Sequence, residues 1–481
     1  MQRREFLRLG AMAAAAAALA QCSNDGSSKA GVPTTTSTTT PRRRPESMLA
    51  GAASDSAIDT VVIVMMENRS FDSYLGWLAR DERYLEQGKS RHGGSFKVNG
   101  NSFQSYPSPD GRSVKTFRRV TSGGAQPWRG CGHEDPNHQW DGGRLERDHG
   151  FLAAGTDNDE FALSYFEGED LPVYDHLARR FTVCDRWHAS LLASTYPNRE
   201  YLISAQSGGH KDNYLPFEEG GFDWPTIIDR LAAANVSAIE YYVDFPQILL
   251  WGNRMIPHSR TMDAFATDAS AGKLPRVSIL TPRFLGPDRT DDHPFGDPRA
   301  AQKFVRDAFS AFTKSKHWEN GLFVLTYDEW GGFFDHVAPP VLPDLRTSTN
   351  DDENFGQAGF RVPTVLASPY APAGLVDHAL YDHTSILRFL EWRFLGAPPQ
   401  GPGRDGDSWF LTPRDRHANN LGAVLVRDDP DPEVGFDVDL PLADPEPPCA
   451  DETAYEDLAP NAMQVALESG YYERIGAKVQ V

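Results

Sequence analysis

Cysteine is scarce. Four residues in 481 carry a thiol, at positions 22, 131, 184 and 449, and no two are spaced like metal ligands. That pattern excludes a zinc–cysteine scaffold and leaves room for one disulfide, whose partners the sequence does not choose. Positive charge is short as well: 47 Lys and Arg face 67 Asp and Glu, a net charge of −20. Such a surface repels nucleic acid, so no nucleic-acid partner is expected. It also disfavours electrostatic docking on anionic lipid while permitting brief contact with zwitterionic lipid. Beyond the first residues no apolar run reaches the ~20 residues of a membrane span. There is no internal repeat.

What is present begins with an address. "RREFLRLG" precedes the apolar run "AMAAAAAALA", the layout of a twin-arginine export signal. Ala18-Leu19-Ala20 fits a cleavage site. Gln21-Cys22 partly matches a lipoprotein site, but Gln stands where a small residue is usual, so free secretion is favoured over lipid anchoring at Cys22. The expectation is export by the twin-arginine machinery to a secreted, periplasmic or envelope-associated location. That route carries proteins already folded, often around a metal or cofactor. Four parts follow: the signal segment 1–22, a Thr/Pro/Ser-rich disordered linker 23–57, a folded domain 58–425, and an acidic, Pro-rich tail 426–481 with a terminal helix near 460–476.

A chain with 40% hydrophobic and 11% aromatic residues can build a large core. Strand-length apolar runs lie at 61–66, 276–280, 322–327 and 362–368, nearly continuous as in strands buried on both faces of a parallel sheet. Helical patterns at 225–235 and 299–315 alternate with them; in the second, positions 304, 308, 309 and 312 make one apolar face. The expected class is α/β, a mostly parallel sheet with helices on both faces. Segments 81–150 and 205–260 are Gly- and aromatic-rich and are expected to be irregular loop insertions near the site.

Two of the apolar runs end in charge. "VVIVMM" meets Glu67-Asn68, and "LFVLTY" meets Asp328-Glu329, followed by the flexible pair Gly331-Gly332. Ligands of doubly wound sheets bind beyond the carboxyl ends of the strands. Three carboxylates gathered there repel one another unless a cation sits among them, so a divalent metal is expected. The alternative is local: Glu67 pairs with Arg69 or caps the next helix. "STYPNR" at 194–199 places two hydroxyls before a helical pattern, where the helix amino end favours an anion. Beside a metal, one of them could ionise into a nucleophile. Histidines 133, 138, 293, 336, 378 and 383 stand in loops, several next to Asp, where a carboxylate can fix the tautomer.

These residues carry a resemblance. "MMENRSFD", "DPNHQW", "LARRFTVCDRWHAS", "STYPNR", "DDHP", "TYDEWGGFFDHVAPP" and "YDHTSILRFLEWRF", in this order across 58–425, resemble the bacterial phosphoesterase family that contains phosphatidylcholine-type phospholipases C and an acid phosphatase. The resemblance implies an alkaline-phosphatase-like α/β core with one active-site metal ion, its identity open among Ca, Mg, Mn, Fe and Zn. It implies Glu67, Asn68, Asp328 and Glu329 as metal ligands and Thr195 as both ligand and nucleophile, through a phosphothreonine. His138 and His293 would contact phosphate or move protons; His336 and His383 match family positions. Ala193-Ser194 replaces the family's Gly-Pro, which makes Ser194 a rival nucleophile. "DDHPF" lacks the usual second proline, and "SYLGWL" replaces a His-Tyr-Phe-Gly pattern, which leaves the substrate open. The readings in competition are a phospholipase C-type phosphodiesterase acting on phospholipid or another phosphate ester, an acid phosphatase, and a non-catalytic binding protein on the same fold.

Overall fold

The structure, a computed structural model, describes residues 46–122, 126–286, 288–396, 409–427, 430–431, 440–449 and 468–477. The chain divides between Arg44 and Pro45, and every described residue belongs to the second unit. The signal segment 1–22 and the linker up to residue 45 lie outside the described residues.

One eight-stranded sheet organises this unit. Its strands are β1 Thr60–Met66, β2 Thr182–Cys184, β3 Ala238–Tyr242, β4 Ser259–Thr261, β5 Val277–Thr281, β6 Gly321–Tyr327, β7 Val365–Ala367 and β8 Val376–Asp377. They lie in the spatial order β8-β2-β7-β6-β1-β5-β3-β4. Every residue of β1 and β6 is buried, as their unbroken apolar runs require. β1 runs parallel to β6 in register from Thr60↔Gly321 to Met66↔Tyr327, and parallel to β5 on its other side. That register decides the site: the residues after Met66 and Tyr327, which are Glu67 and Asp328, emerge abreast.

The helices that matter are α1 Thr195–Ser204, α2 Pro298–Thr313 and α3 Thr384–Leu390. α2 starts on the Asp297 cap with proline at its first position, then buries Val305, Ala308, Phe309 and Phe312 on one face. The rings of Phe309 and Phe312 meet Phe323 of β6, at centroid distances of 4.9 and 6.2 Å. Each such ring taken from water contributes roughly 1.5–3 kcal/mol. α1 packs with Ile227–Ala233 and with α3. The fold is mixed α/β with a mostly parallel sheet.

Three expectations change. β7 runs antiparallel to both neighbours, because an apolar run reports burial and not direction. Segments 81–150 and 205–260 are not only loop: the first holds the helices Glu82–His92 and Trp140–His149, and the second supplies β3 and most of β4, while the helix expected at 225–235 is there as Ile227–Ala233. Glu240 interrupts the apolar run of β3, which hides that strand from a hydropathy reading. Residues 46–57, expected in the disordered linker, fold into two short 3-10 turns; Met48 is buried and its amide donates to the Leu425 carbonyl at 2.8 Å. In the tail, Cys449 forms a disulfide with Cys131, and the amide of Glu446 donates to Asp297 at 2.7 Å. Cys184 is a buried free thiol. The terminal helix expected near 460–476 lies largely outside the described residues, which include the helical turn Tyr471–Arg474.

Candidate active site

The strand ends deliver what their register promises. Carboxylate oxygens of Glu67, Asp328 and Glu329 lie within 4.8 Å of one another, and all three residues have 0% exposure. Asn68 adopts φ 59°, the left-handed region a side chain rarely enters, and so turns its amide into the same space. As oriented, that amide's oxygen faces acceptors only: Glu67 Oε1 at 3.0 Å and a carboxylate oxygen of Glu329. Turned over, the amide donates to both, so Asn68 stands within hydrogen-bond reach of two of the three carboxylates. Gly331 and Gly332 sit at φ 63° and 68°. A Cβ on Gly331 would fall 2.3 Å from the Asn68 carbonyl oxygen, and one on Gly332 2.5 Å from Pro136. The double glycine lets the β6 turn close on the β1 turn.

Thr195 opens α1 and its hydroxyl donates to Glu67 Oε1 at 2.6 Å. Pro197 is tolerated because first-turn amides need no helical partner. Asn198 fastens the approach to the helix: its amide donates to the carbonyls of Leu191, Ala193 and Ser194 at 3.1, 2.7 and 3.0 Å. The rival hydroxyl, Ser194 Oγ, is buried without a hydrogen-bond partner. Of the two hydroxyls, that of Thr195 is the one hydrogen-bonded to the carboxylate group.

A cation of the protein's own already stands there. Arg199, one turn after Thr195, donates to Glu67 Oε2 at 2.6 Å and to Asp328 Oδ2 at 2.9 Å. One guanidinium against three carboxylates leaves surplus negative charge. Burial, with repulsion from Asp328 next, pushes the Glu67 and Glu329 carboxyls well above the usual range. A divalent ion would relieve both, and the all-oxygen donor set of Glu67, Asn68, Asp328, Glu329 and Thr195 fits a hard cation. The residues present therefore fit the metal that the sequence implies.

The four histidines stand in four different situations. His138 donates through Nδ1 to the Pro136 carbonyl at 2.8 Å, so the Nε2 lone pair is free; it is buried and has no partner. Its loop lies against Gly332, on the Glu329 side. His293 Nδ1 engages Asp291 at 2.5 Å, and its Nε2 stands 3.5 Å from Glu67 Oε1. His383 has both nitrogens occupied: Nε2 donates to the Asp328 carbonyl at 2.6 Å, and Nδ1 accepts from Trp187 at 3.3 Å. Burial lowers its pKa, which suits a neutral buttress under Asp328. His336 belongs elsewhere, with Nδ1 on Asp72 at 2.5 Å and Nε2 on Asn99 at 3.1 Å. These ring hydrogen bonds lead away from the Glu67 group. Asp72, Asp335 and His336 form a second acidic group, but Arg361 neutralises it through Asp72 and Asp335 at 3.0 and 2.9 Å. His133 and His378 pair with Asp159 and Asp185, each at 2.8 Å.

The structure thus brings Glu67, Asn68, Thr195, Asp328, Glu329 and His293 together, holds His383 against the Asp328 carbonyl, places the loop of His138 on Gly332, and leaves His336 in a neighbouring network. Sequence reasoning gave Arg199 no role; its place in "STYPNR", four residues after the hydroxyl on one helix face, was the available signal. The profile of the phosphoesterase family matches residues 58–395. The chain is 31% identical over 405 residues to non-specific phospholipase C4 of Arabidopsis thaliana, spanning 76% of this chain and 72% of that one. It is 30% identical over 399 residues to phospholipase C A of Mycobacterium tuberculosis, spanning 72% and 74%. Among solved structures it is similar to a protein in the alkaline phosphatase superfamily from Vibrio parahaemolyticus, 10% identical, covering 83% of this chain and 97% of that one, with a TM-score of 0.33.

Proposed function

Because the chain belongs to the phosphoesterase family, and is thus a phosphoric ester hydrolase, we propose that it is a metal-dependent phosphodiesterase of the phospholipase C type working through a phosphothreonine at Thr195. The observation that carries this reading is the Thr195 hydroxyl bonded at 2.6 Å to Glu67, where two strand ends and Asn68 converge. The relatives named phospholipase C point to a phospholipid as substrate. A divalent cation held by Glu67, Asn68, Thr195, Asp328 and Glu329 would supply Lewis-acid polarisation. Oxygen ligation suits Ca, Mg or Mn without excluding Fe or Zn.

The chain's own residues supply the rest. Glu67 Oε1 already accepts the Thr195 hydrogen bond, which orients the hydroxyl and offers its proton a destination. The amino end of α1 favours the developing negative oxygen. Thr195 attacks phosphorus and the alcohol leaves. A histidine gives that leaving oxygen a proton, then draws one from the water that hydrolyses the phosphothreonine. His293, oriented by Asp291, and His138, once its Nε2 lone pair has taken up a proton from solvent, are the two candidates for this work. Arg199 tempers the charge of the carboxylates throughout.

Export through the twin-arginine pathway goes with this reading, with release favoured over anchoring at Cys22. The Cys131–Cys449 disulfide supports it, since such bonds persist in oxidising compartments.

The test uses phosphatidylcholine vesicles and follows choline phosphate and diacylglycerol. The wild type releases both, Thr195→Ala loses at least about a thousandfold of the rate with unchanged unfolding, and Ser194→Ala stays near wild type. Activity retained by Thr195→Ala refutes the nucleophile. Phosphate release from an aryl phosphate, with none of the lipid products, moves the protein to the phosphomonoesterases.

A further inference from the structure

Arg199 is placed where a simple counter-ion has no need to be. Its Nε and Nη2 reach Glu67 Oε2 at 3.2 and 2.6 Å, and Nε also reaches Asp328 Oδ2 at 2.9 Å. Nη2 further donates to the carbonyls of Met65 and Met66 at 3.3 and 3.0 Å, and Nη1 to Gln247 Oε1 at 3.2 Å. The guanidinium carbon lies 4.8 Å from the centre of the Phe284 ring, and the residue is 3% exposed. One planar fork therefore joins the ends of β1 and β6 to α1.

The division of oxygens is informative. On Glu67, Arg199 takes Oε2 and Thr195 takes Oε1, so a single carboxylate is held at both oxygens by residues four apart on one helix. On Asp328, Arg199 takes Oδ2, while Oδ1 accepts the amides of Asn68 and Glu329 at 3.2 and 2.7 Å. The far end of the fork is itself anchored. Buried Glu240 accepts the amides of Gln247 and Ile248 at 3.0 and 2.9 Å and the hydroxyl of Thr281 at 2.6 Å.

We propose that Arg199 is the positioning residue of this site: it sets the two ligand-bearing strand ends in register with the nucleophile and holds Glu67 in place when a cation takes over the Thr195 side. The inference rests on the metal-dependent reading above. It distinguishes geometry from charge, because lysine keeps the charge yet cannot reach two carboxylates, two carbonyls and an amide at once.

The experiment titrates chelator-treated full-length protein with Mn²⁺ by calorimetry, then with Ca²⁺, Mg²⁺ and Zn²⁺ in turn. Arg199→Lys binds Mn²⁺ about ten- to a hundredfold more weakly than wild type, the usual loss when a residue supporting metal ligands is removed. At saturating Mn²⁺ its kcat for p-nitrophenyl phosphorylcholine stays depressed while KM moves by less than about twofold, a split that a global loss of fold does not produce. Gln247→Leu, which frees the outer end of the fork without touching a charge, weakens Mn²⁺ in the same direction and less. Arg199→Lys binding as tightly as wild type, or Arg199→Met binding more tightly, overturns the proposal and leaves Arg199 a mere counter-charge. If Arg199→Lys does not fold, unchanged affinity in Gln247→Leu overturns it. A wild type that binds none of the four cations overturns the metal reading itself, and this role with it.

Discussion

Histidine shows how far single residues can be read from sequence. A neighbouring Asp in sequence promises a carboxylate partner, yet His336 pairs with Asp72, 264 residues away, and not with Asp335. His383 engages Trp187 and a backbone carbonyl, not Asp382. Only His293 finds its partner nearby, in Asp291. Side chains of neighbours in sequence diverge at a turn, and the partner is set by the sheet register that no local pattern reports. Glu67, Asp328 and Glu329 were legible because a charge ending a buried strand is anomalous by itself. His188 illustrates the energetic side. It is buried, its Nδ1 donates to the Gly359 carbonyl at 3.0 Å, and burial pushes its pKa down to about 3. The unfolded chain, near 6.5, binds the proton more readily, so the stability His188 provides is complete above that value and drains as pH falls toward 3. The unfolding free energy from urea titrations should fall between pH 7 and pH 4 by on the order of 3 kcal/mol more in the wild type than in His188→Asn. Parallel slopes in the two proteins would contradict the assignment.

Among elements, the strands were the readable part: runs at 61–66 and 322–327 became β1 and β6 almost to the residue. The three-residue β2 and the Glu-bearing β3 were not, since short or interrupted runs carry little hydropathy signal. The pair Gly331-Gly332 reads as flexible in sequence but acts as a fitted turn, required by its φ values and by the Asn68 carbonyl against it. Gly331→Ala should therefore lower stability by about 1–3 kcal/mol and cut turnover more than a stability loss of that size explains, because Asn68 is displaced. Measuring unfolding midpoint and kcat on the same preparation checks both. Undiminished kcat would show that Asn68 tolerates the shift.

On the scale of the molecule, the site is sealed. Glu67, Asn68, Thr195, Asp328 and Glu329 all have no exposed surface. The acidic tail is tied to the body by Cys131–Cys449, across 318 residues of sequence. The pairing could not be read from four scattered cysteines, because it depends on where the tail returns. Removing it as Cys131→Ser/Cys449→Ser should cost about 2–5 kcal/mol, and reductant should lower the thermal midpoint of the wild type but not of the double variant. Equal midpoints with and without reductant would show that the tail adds nothing to stability.

The central claim is that strand ends far apart in the chain gather around one cation that makes Thr195 nucleophilic. Elemental analysis of the purified protein tests it most directly, with choline phosphate release assayed on the same samples. The account predicts about one divalent ion per chain in the wild type, only traces in Glu67→Gln/Asp328→Asn, and release falling in step with metal content. Full release by chelated protein that carries no metal would contradict it.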